Sequence, residues 1–195
     1  GLAFLGVSDK ALAASRTSTM RRAYFDFAEM AKMNDDGFFP YTPPTQLFHG
    51  LRASLDLLFA EGLDEVVARH RRLAEGVRRG VRAWGLELVA SEPRWYSDTV
   101  TAVRVPGDVD AREVIRIAYD RYRTSFGSGL GPLAGKAFRI GHVGDLNEVM
   151  CLSALASAEM ALKEAGCPIQ LGSGVGAAQS WFHAAGVPTE LRAVA

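Results

Sequence analysis

The stretch KAFRIGHVG, Lys136 to Gly144, reads as a short strand with an arginine at its centre. Period-two alternation sends Phe138 and Ile140 to one face and Ala137, Arg139 and Gly141 to the other. Arginine is almost never fully buried without a partner, so Arg139 needs an anion. Two kinds of anion meet that need. One is a carboxylate of the protein itself, in a structural ion pair. The other is the carboxylate of a ligand, which the guanidinium fork holds through two parallel hydrogen bonds. Gly141 and Gly144 would leave room for a small ligand, and spacing alone leaves both readings open. His142, just after the strand, is a candidate for lining the same cleft.

Outward from this strand, the second half of the chain alternates strands and helices. Leu86 to Val89 is a short strand. Thr99 to Val105 alternates Val100, Ala102 and Arg104 against Thr101, Val103 and Val105. Pro106-Gly107-Asp108 turns the chain, and Asp110 caps a helix to about Tyr122. Thr124 to Phe126 is a brief strand. After KAFRIGHVG, Asp145 with Glu148 resembles a capping box for a helix to about Ala165. The order after Gly85 predicts a compact α+β domain with helices on one face of a small sheet. The LGSGVG segment is expected to be a flexible link, followed by a weak helix around Ala177 to His183.

The first half reads differently. Leu2 to Val7 is apolar on both faces, as a buried strand would be. Such a strand needs neighbours, and no other segment in the first fifty residues offers one. With no initiator methionine, this suggests the C-terminal part of a longer protein. Asp9 to Ser15 is a helical turn, and Arg16 to Met33 has loose helical spacing. In FFPYTPPTQ, Thr42 fits an N-cap with Pro43 at the first helical position. The helix then runs to Gly62. A long helix follows from about Asp64 to Gly85, with Val66, His70, Leu73, Val77, Val81 and Trp84 on one face. Arg69, Arg71, Arg72, Arg78, Arg79 and Arg82 fill the other, most simply a solvated face. At about twenty residues, roughly 30 Å, this helix is long enough to bridge two domains. His70, on its apolar side, reads as a satisfied core residue.

Composition bounds the partners. Of 195 residues, 48% are hydrophobic and 23% charged, and 22 basic side chains balance 22 acidic ones. A neutral chain of this kind has no bulk attraction to nucleic acid or anionic membranes. No apolar run reaches the length of a bilayer span, and no signal peptide is convincing at the N-terminus. Cys151 and Cys167 lack metal-ligand spacing, no histidine pair has it either, and two cysteines make no disulfide scaffold. No metal is expected, and a reducing cytoplasm fits best.

GSGLGPLAGKA invites a phosphate-loop reading, which fails on residue identity. Leu130 stands where glycine is required, and Ala137 where serine or threonine is required. Thr42 is open to two readings. Its hydroxyl can cap the helix, or it can hold a phosphate at the helix N-terminus. Cys151 sits within an apolar helix and is expected to be inert. Of the four lysines, Lys10, Lys32, Lys136 and Lys163, none has an obvious cofactor-binding context.

Three segments together carry a resemblance: GLAFLGVSDKAL, then FFPYTPPTQLFHGLRASLDLLFAEGLDEVVARHRRLA, then GSGLGPLAGKAFRIGHVGDLNE. They resemble the C-terminal half of class V aminotransferases, pyridoxal-phosphate (PLP) enzymes of fold type I. The similarity is to the serine–glyoxylate, alanine–glyoxylate and aspartate–glyoxylate group, from Gly1 to about Gln179, and the PIQLGSGVGAAQ tail is similar to the aspartate–glyoxylate members.

The resemblance implies a fold type I fragment. Residues 1–62 would end the PLP-binding large domain, 63–85 would be a long interdomain helix, 86–168 a small α+β domain, and 169–195 a tail. It implies transamination from serine, aspartate or alanine to glyoxylate, giving glycine, in a cytoplasmic homodimer with shared active sites. Arg139 would grip the substrate α-carboxylate. Thr42 would hydrogen-bond the cofactor phosphate from the neighbouring subunit. Phe39 stands where several relatives carry a tyrosine that also touches the phosphate. The lysine that bonds covalently to the cofactor would lie upstream of Gly1, so no catalytic residue is expected in this chain. The alternative, which that missing lysine favours, is a non-catalytic ligand-binding or dimerisation module.

Overall fold

The computed structural model of the chain describes residues 2–186. These fall into two compact units, Gly1–Gly62 and Leu63–Ala195, and each is described by itself.

The first unit is helical. Helix α1 (Asp9–Thr17) is capped by Ser8, α2 (Phe27–Asp35) by Asp26, and α3 spans Thr45–Glu61. The Asp26 carboxylate accepts the Ala28 and Glu29 N–H groups at 2.8 and 3.2 Å. That cap starts α2 at Phe27, so the helical spacing read from Arg16 to Met33 is realised only in its second part. Leu2 to Val7, expected as a buried strand, forms none, and Phe4 is 75% exposed. Strand backbone needs a neighbouring strand to take its N–H and C=O groups, and the described residues of this unit contain none.

The second unit is built on α4 (Leu63–Ala83). Asp64 and Glu65 in its first turn and Arg82 in its last complement the helix dipole. Leu73, Val77 and Val81, spaced four apart, are fully buried. Gly85, at φ +74°, ends the helix in the left-handed region, and the Leu86 N–H reaches back to the Val81 carbonyl at 3.3 Å. Four antiparallel strands follow: β1 (Glu87–Leu88), β2 (Val100–Arg104), β3 (Gly127–Ser128) and β4 (Ala137–Gly141), in spatial order β1-β2-β4-β3. Helix α5 (Ala111–Tyr122) is capped by Asp110, as expected, and α6 (Glu148–Glu164) is capped by Asn147 rather than Asp145. The Asn147 side chain accepts the Met150 N–H at 3.0 Å, which places Glu148 at the first helical position instead of the third.

The arginines of α4 are not simply a solvated face. Arg78 is 6% exposed. Its guanidinium bonds Glu75 at 3.0 Å and both Asp98 and the Ser97 carbonyl at 3.2 Å, and it lies 5.2 Å from the centre of the Tyr96 ring. Arg69 donates to the carbonyls of Gly144 and Leu146, and Arg72 pairs with Glu148. Arg79 stacks on Trp181 at 4.3 Å. These contacts tie α4 to the loop before β2, to the start of α6 and to the last described helix, α7 (Ser173–Ala184).

The LGSGVG segment is also not a flexible link. Helix α7 spans Ser173–Ala184 and packs along α4. A Cβ on Gly174 would lie 2.2 Å from the Trp84 indole nitrogen, and one on Gly76 would lie 2.2 Å from the Phe182 ring. The glycines serve close helix approach rather than mobility. Glu159 of α6, 3% exposed, completes the contact. Its carboxylate accepts the N–H groups of Gly172, Gly174 and Val175 at 2.8, 2.6 and 3.2 Å, and the Trp84 indole N–H at 2.8 Å. One buried acid thus satisfies donors that the start of α7 leaves without helical partners. Residues 187–195, the end of the expected tail, lie outside the described residues.

Replacing Glu159 with alanine in the full-length protein is expected to cost about 3 kcal/mol, because several buried donors lose their acceptor together. A urea titration reads the loss. Hydrogen exchange at Gly172, Gly174 and Val175 should accelerate ahead of the β2 and β4 amides.

Candidate functional site

The site forms on the sheet face that the helices leave uncovered. Strand β4 is paired on both sides, and register sets what surrounds each residue. Thr101 and Val103 of β2 stand opposite Ile140 and Phe138 of β4, and all four are buried. That is the core face. On the other face Arg139 stands opposite Ala102 of β2 and Gly127 of β3. Small residues flank it on both neighbouring strands, and its side chain keeps partial exposure. Arg104, opposite Ala137, shares this face and adds to its positive charge, while Glu87 at the sheet edge stands opposite Arg104.

Arg139 is half-buried. Its Nε donates to the Ser128 carbonyl at 3.0 Å. Its terminal nitrogens, Nη1 and Nη2, make no hydrogen bond or ion pair among the described residues. The structural carboxylate that was one reading of this arginine is therefore not found there. What remains is a permanently charged, end-on fork, held at its base by backbone and open at its tip. Such a fork matches a carboxylate in geometry and charge.

His142 does not join this face. It is fully buried, with Nε2 2.8 Å from the Thr101 hydroxyl and Nδ1 3.1 Å from the Asp98 carbonyl. A carbonyl only accepts, so Nδ1 carries the proton, and burial, which disfavours a charged ring, leaves Nε2 to accept from the hydroxyl. Burial pushes its pKa below the ordinary value. His142 thus braces β2 against the loop before it. His70 behaves as expected of a satisfied core residue. The Gly144 N–H donates to its Nε2 at 3.0 Å, and its Nδ1 lies 2.7 Å from the Val66 carbonyl. Cys151 is buried, with its thiol pushed up to about 11, first by burial and then by Glu148, which makes it a poor nucleophile. A cavity of about 520 Å³ opens beside the start of α6, but no charged side chain lines it and Arg139 takes no part in it.

Thr42 lies in the first unit, three residues before α3. It is not the N-cap. Pro44 occupies that position and offers no side-chain bond, because Thr45, not Pro43, is the first helical residue. The Thr42 hydroxyl is exposed and makes no hydrogen bond among the described residues. Phe39 stacks on Phe48 with ring centres 5.2 Å apart, which leaves its ring in an apolar contact.

The fold has clear counterparts among solved structures. The pyridoxamine–pyruvate aminotransferase of Mesorhizobium loti superposes with a TM-score of 0.86 at 34% identity, over 93% of this chain and 47% of that one. The ureidoglycine–glyoxylate aminotransferase of Bacillus subtilis gives 0.80 at 28% identity, over 89% of this chain and 45% of that one. The architecture is the C-terminal part of the PLP-dependent aminotransferases of fold type I. In sequence, the chain is 60% identical over 184 residues to the serine–glyoxylate aminotransferase of Hyphomicrobium methylovorum, covering 93% of this chain and 45% of the relative. It is 50% identical over 183 residues to the L-aspartate–glyoxylate aminotransferase of Paracoccus denitrificans, covering 94% of this chain and 46% of the relative. The chain is thus similar to the C-terminal part of class V aminotransferases, in the glyoxylate aminotransferase group. It spans about half the length of the curated relatives it matches. No protein-family profile matches it.

Pyridoxal phosphate is the cofactor that these relationships imply. Its phosphate needs hydrogen-bond donors, and the exposed Thr42 hydroxyl, free of bonds among the described residues, fits that need. Among the lysines, Lys163 is engaged with the Ile169 carbonyl at 3.0 Å.

The buried imidazole makes stability depend on pH. The folded pKa of His142 lies below its ordinary value of 6.5, so between the two the unfolded chain binds more protons than the folded one. Its contribution is fully present above pH 6.5 and is lost as the pH falls toward the lowered folded value. In His142→Gln, the slope of the urea midpoint against pH below 6.5 should become shallower than in the parent.

Proposed function

We propose that the full-length protein transfers an amino group from a small amino acid, serine, aspartate or alanine, to glyoxylate, giving glycine. We include in the proposal a homodimer with shared active sites and a cytoplasmic location. Two buried free cysteines agree with a reducing compartment, and no described helix is long and apolar enough to cross a membrane. The relatives named above, at 50% and 60% identity, support the reaction class.

One observation carries the reading: Arg139 offers an unpaired guanidinium fork from a strand paired on both sides. Pyridoxal phosphate, when bound, supplies the electron sink for carbon-acid chemistry. The work left to this chain is to hold and orient. Amino donor and glyoxylate share one group, the carboxylate, so a single clamp serves both halves of the exchange. Two parallel hydrogen bonds fix the carboxylate plane as well as its position, and thereby the direction in which the α-hydrogen points. A strand hydrogen-bonded along both edges keeps that direction constant better than a loop would. In this proposal the Thr42 hydroxyl donates to a phosphate oxygen of the cofactor in the neighbouring subunit.

Arg139→Ala in the full-length enzyme should raise KM for the amino donor and for glyoxylate together, lowering kcat/KM on the order of 100-fold, as loss of a charge-assisted pair implies. Arg139→Lys should recover only part of this, since an ammonium has no fork. Unchanged KM values for both substrates in Arg139→Ala would overturn the carboxylate role. Thr42→Val should weaken retention of pyridoxal phosphate by about 10-fold, the worth of one hydroxyl hydrogen bond to a charged acceptor. Visible absorbance after dialysis measures it, and unaltered retention would remove Thr42 from the phosphate site.

A further inference from the structure

We propose that Gly127 is a positioning residue for Arg139, and that its missing side chain sets where the guanidinium fork stands. The proposal rests on the carboxylate role of Arg139 given above. Gly127 is directly opposite Arg139 in the β3–β4 pairing, on the same face. Its φ lies outside the left-handed region, so the backbone does not demand glycine there. The demand comes from space. A Cβ on Gly127 would stand 3.0 Å from the Arg139 Nε, 3.2 Å from Nη2 and 3.3 Å from Cβ. Comfortable separations are about 3.5–4.0 Å, so beside a methyl group the guanidinium must give by a few tenths of an ångström.

That displacement is specific in its effect. Among the described residues Arg139 has one anchor, the Nε bond to the carbonyl of Ser128, the residue after Gly127. Gly127 and Ser128, the whole of β3, therefore act as one cradle. The glycine is its floor and the serine carbonyl its rear stop. With Nε held, the fork formed by Nη1 and Nη2 is the part left for a ligand. Lifting the guanidinium off the floor strains or breaks the Nε bond and turns the fork away from its bidentate alignment. Misplacement of a binding group by about 1 Å can cost on the order of 100-fold, and tolerances are about 0.5 Å. The shift required here is a few tenths of an ångström, at the edge of that tolerance.

The test is a double-mutant cycle in the full-length holoenzyme. Gly127→Ala should raise KM for both amino donor and glyoxylate by about 10-fold, with kcat at saturation changed far less. Calorimetric titration with glycolate, a non-reacting two-carbon carboxylate, should show the same loss of affinity. In the Arg139→Ala background, adding Gly127→Ala should cost nothing further in kcat/KM or in glycolate affinity. An equal cost in both backgrounds would overturn the positioning role, and so would normal KM and glycolate affinity in Gly127→Ala alone. If Arg139→Ala by itself leaves both readouts unchanged, the carboxylate reading fails and this inference falls with it. Should Gly127→Ala not fold, recovery of folding in Gly127→Ala/Arg139→Ala supports the clash. Failure of both to fold shows that the sheet itself needs the glycine, and overturns the proposal.

Discussion

A guanidinium held by backbone alone is the constraint on which the site depends. Removing a charged group from water is expensive unless an opposite charge or several hydrogen bonds replace the lost solvation. Arg139 solves this by half-measures. Its stem lies along a sheet face, its Nε reaches one carbonyl, and its fork stays accessible. A buried internal carboxylate would have satisfied it more completely and would also have blocked it. The arginines of α4 show that other solution in the same unit. Arg78 is 6% exposed and is met by Glu75 and Asp98, and Arg72 is met by Glu148.

Everything that keeps Arg139 in place traces to pairing. Strand β4 lies between β2 and β3, so its position along the sheet is fixed from both sides. A slip by one residue would turn Arg139 into the core and bring Phe138 and Ile140 out. Those two side chains, both buried, therefore hold the arginine outward more firmly than any contact it makes itself. Beneath them the α6–α7–α4 contact is locked by Glu159, whose carboxylate collects donors from α7 and Trp84. Buried acid and half-buried arginine are complementary cases. One carboxylate is fully satisfied by the protein, while one guanidinium is left for something else.

Legibility followed the range of the interaction. The strand at β4, its alternation, the helix capped by Asp110 and the buried stripe of α4 could be read because each is decided within a few residues. His70 was readable for the same reason, lying one turn from the carbonyl it faces. Two of the differences concern long-range partners. LGSGVG looks mobile on its own, and only Trp84, far away in the chain, explains why Gly174 has no side chain. The α4 arginines look solvated until Asp98 and Glu148 arrive from elsewhere. Pro43 suits a first helical position and so makes Thr42 look like a cap, yet Pro44 suits the start as well and the helix begins one residue beyond it. His142 is next to the cleft strand in sequence, but alternation past the end of β4 puts it on the core side. Gly127 gave no signal at all, because its importance lies in what stands opposite it.

The small residues around Arg139 bear on how a binding site differs from a merely polar surface. A strand pair normally gains from large cross-strand partners, with each good pair worth about 0.2–1 kcal/mol over alanine. Ala102 and Gly127 forgo that gain at the two positions beside the arginine. Glycine within a strand carries a further cost of roughly 0.5–1 kcal/mol. A structural ion pair would not need such an opening, since its partner could be a side chain standing opposite on a neighbouring strand. Room on both sides of an unpaired fork is what a ligand arriving from outside the sheet requires. The local loss of stability is thus itself a reason to read Arg139 as built for binding.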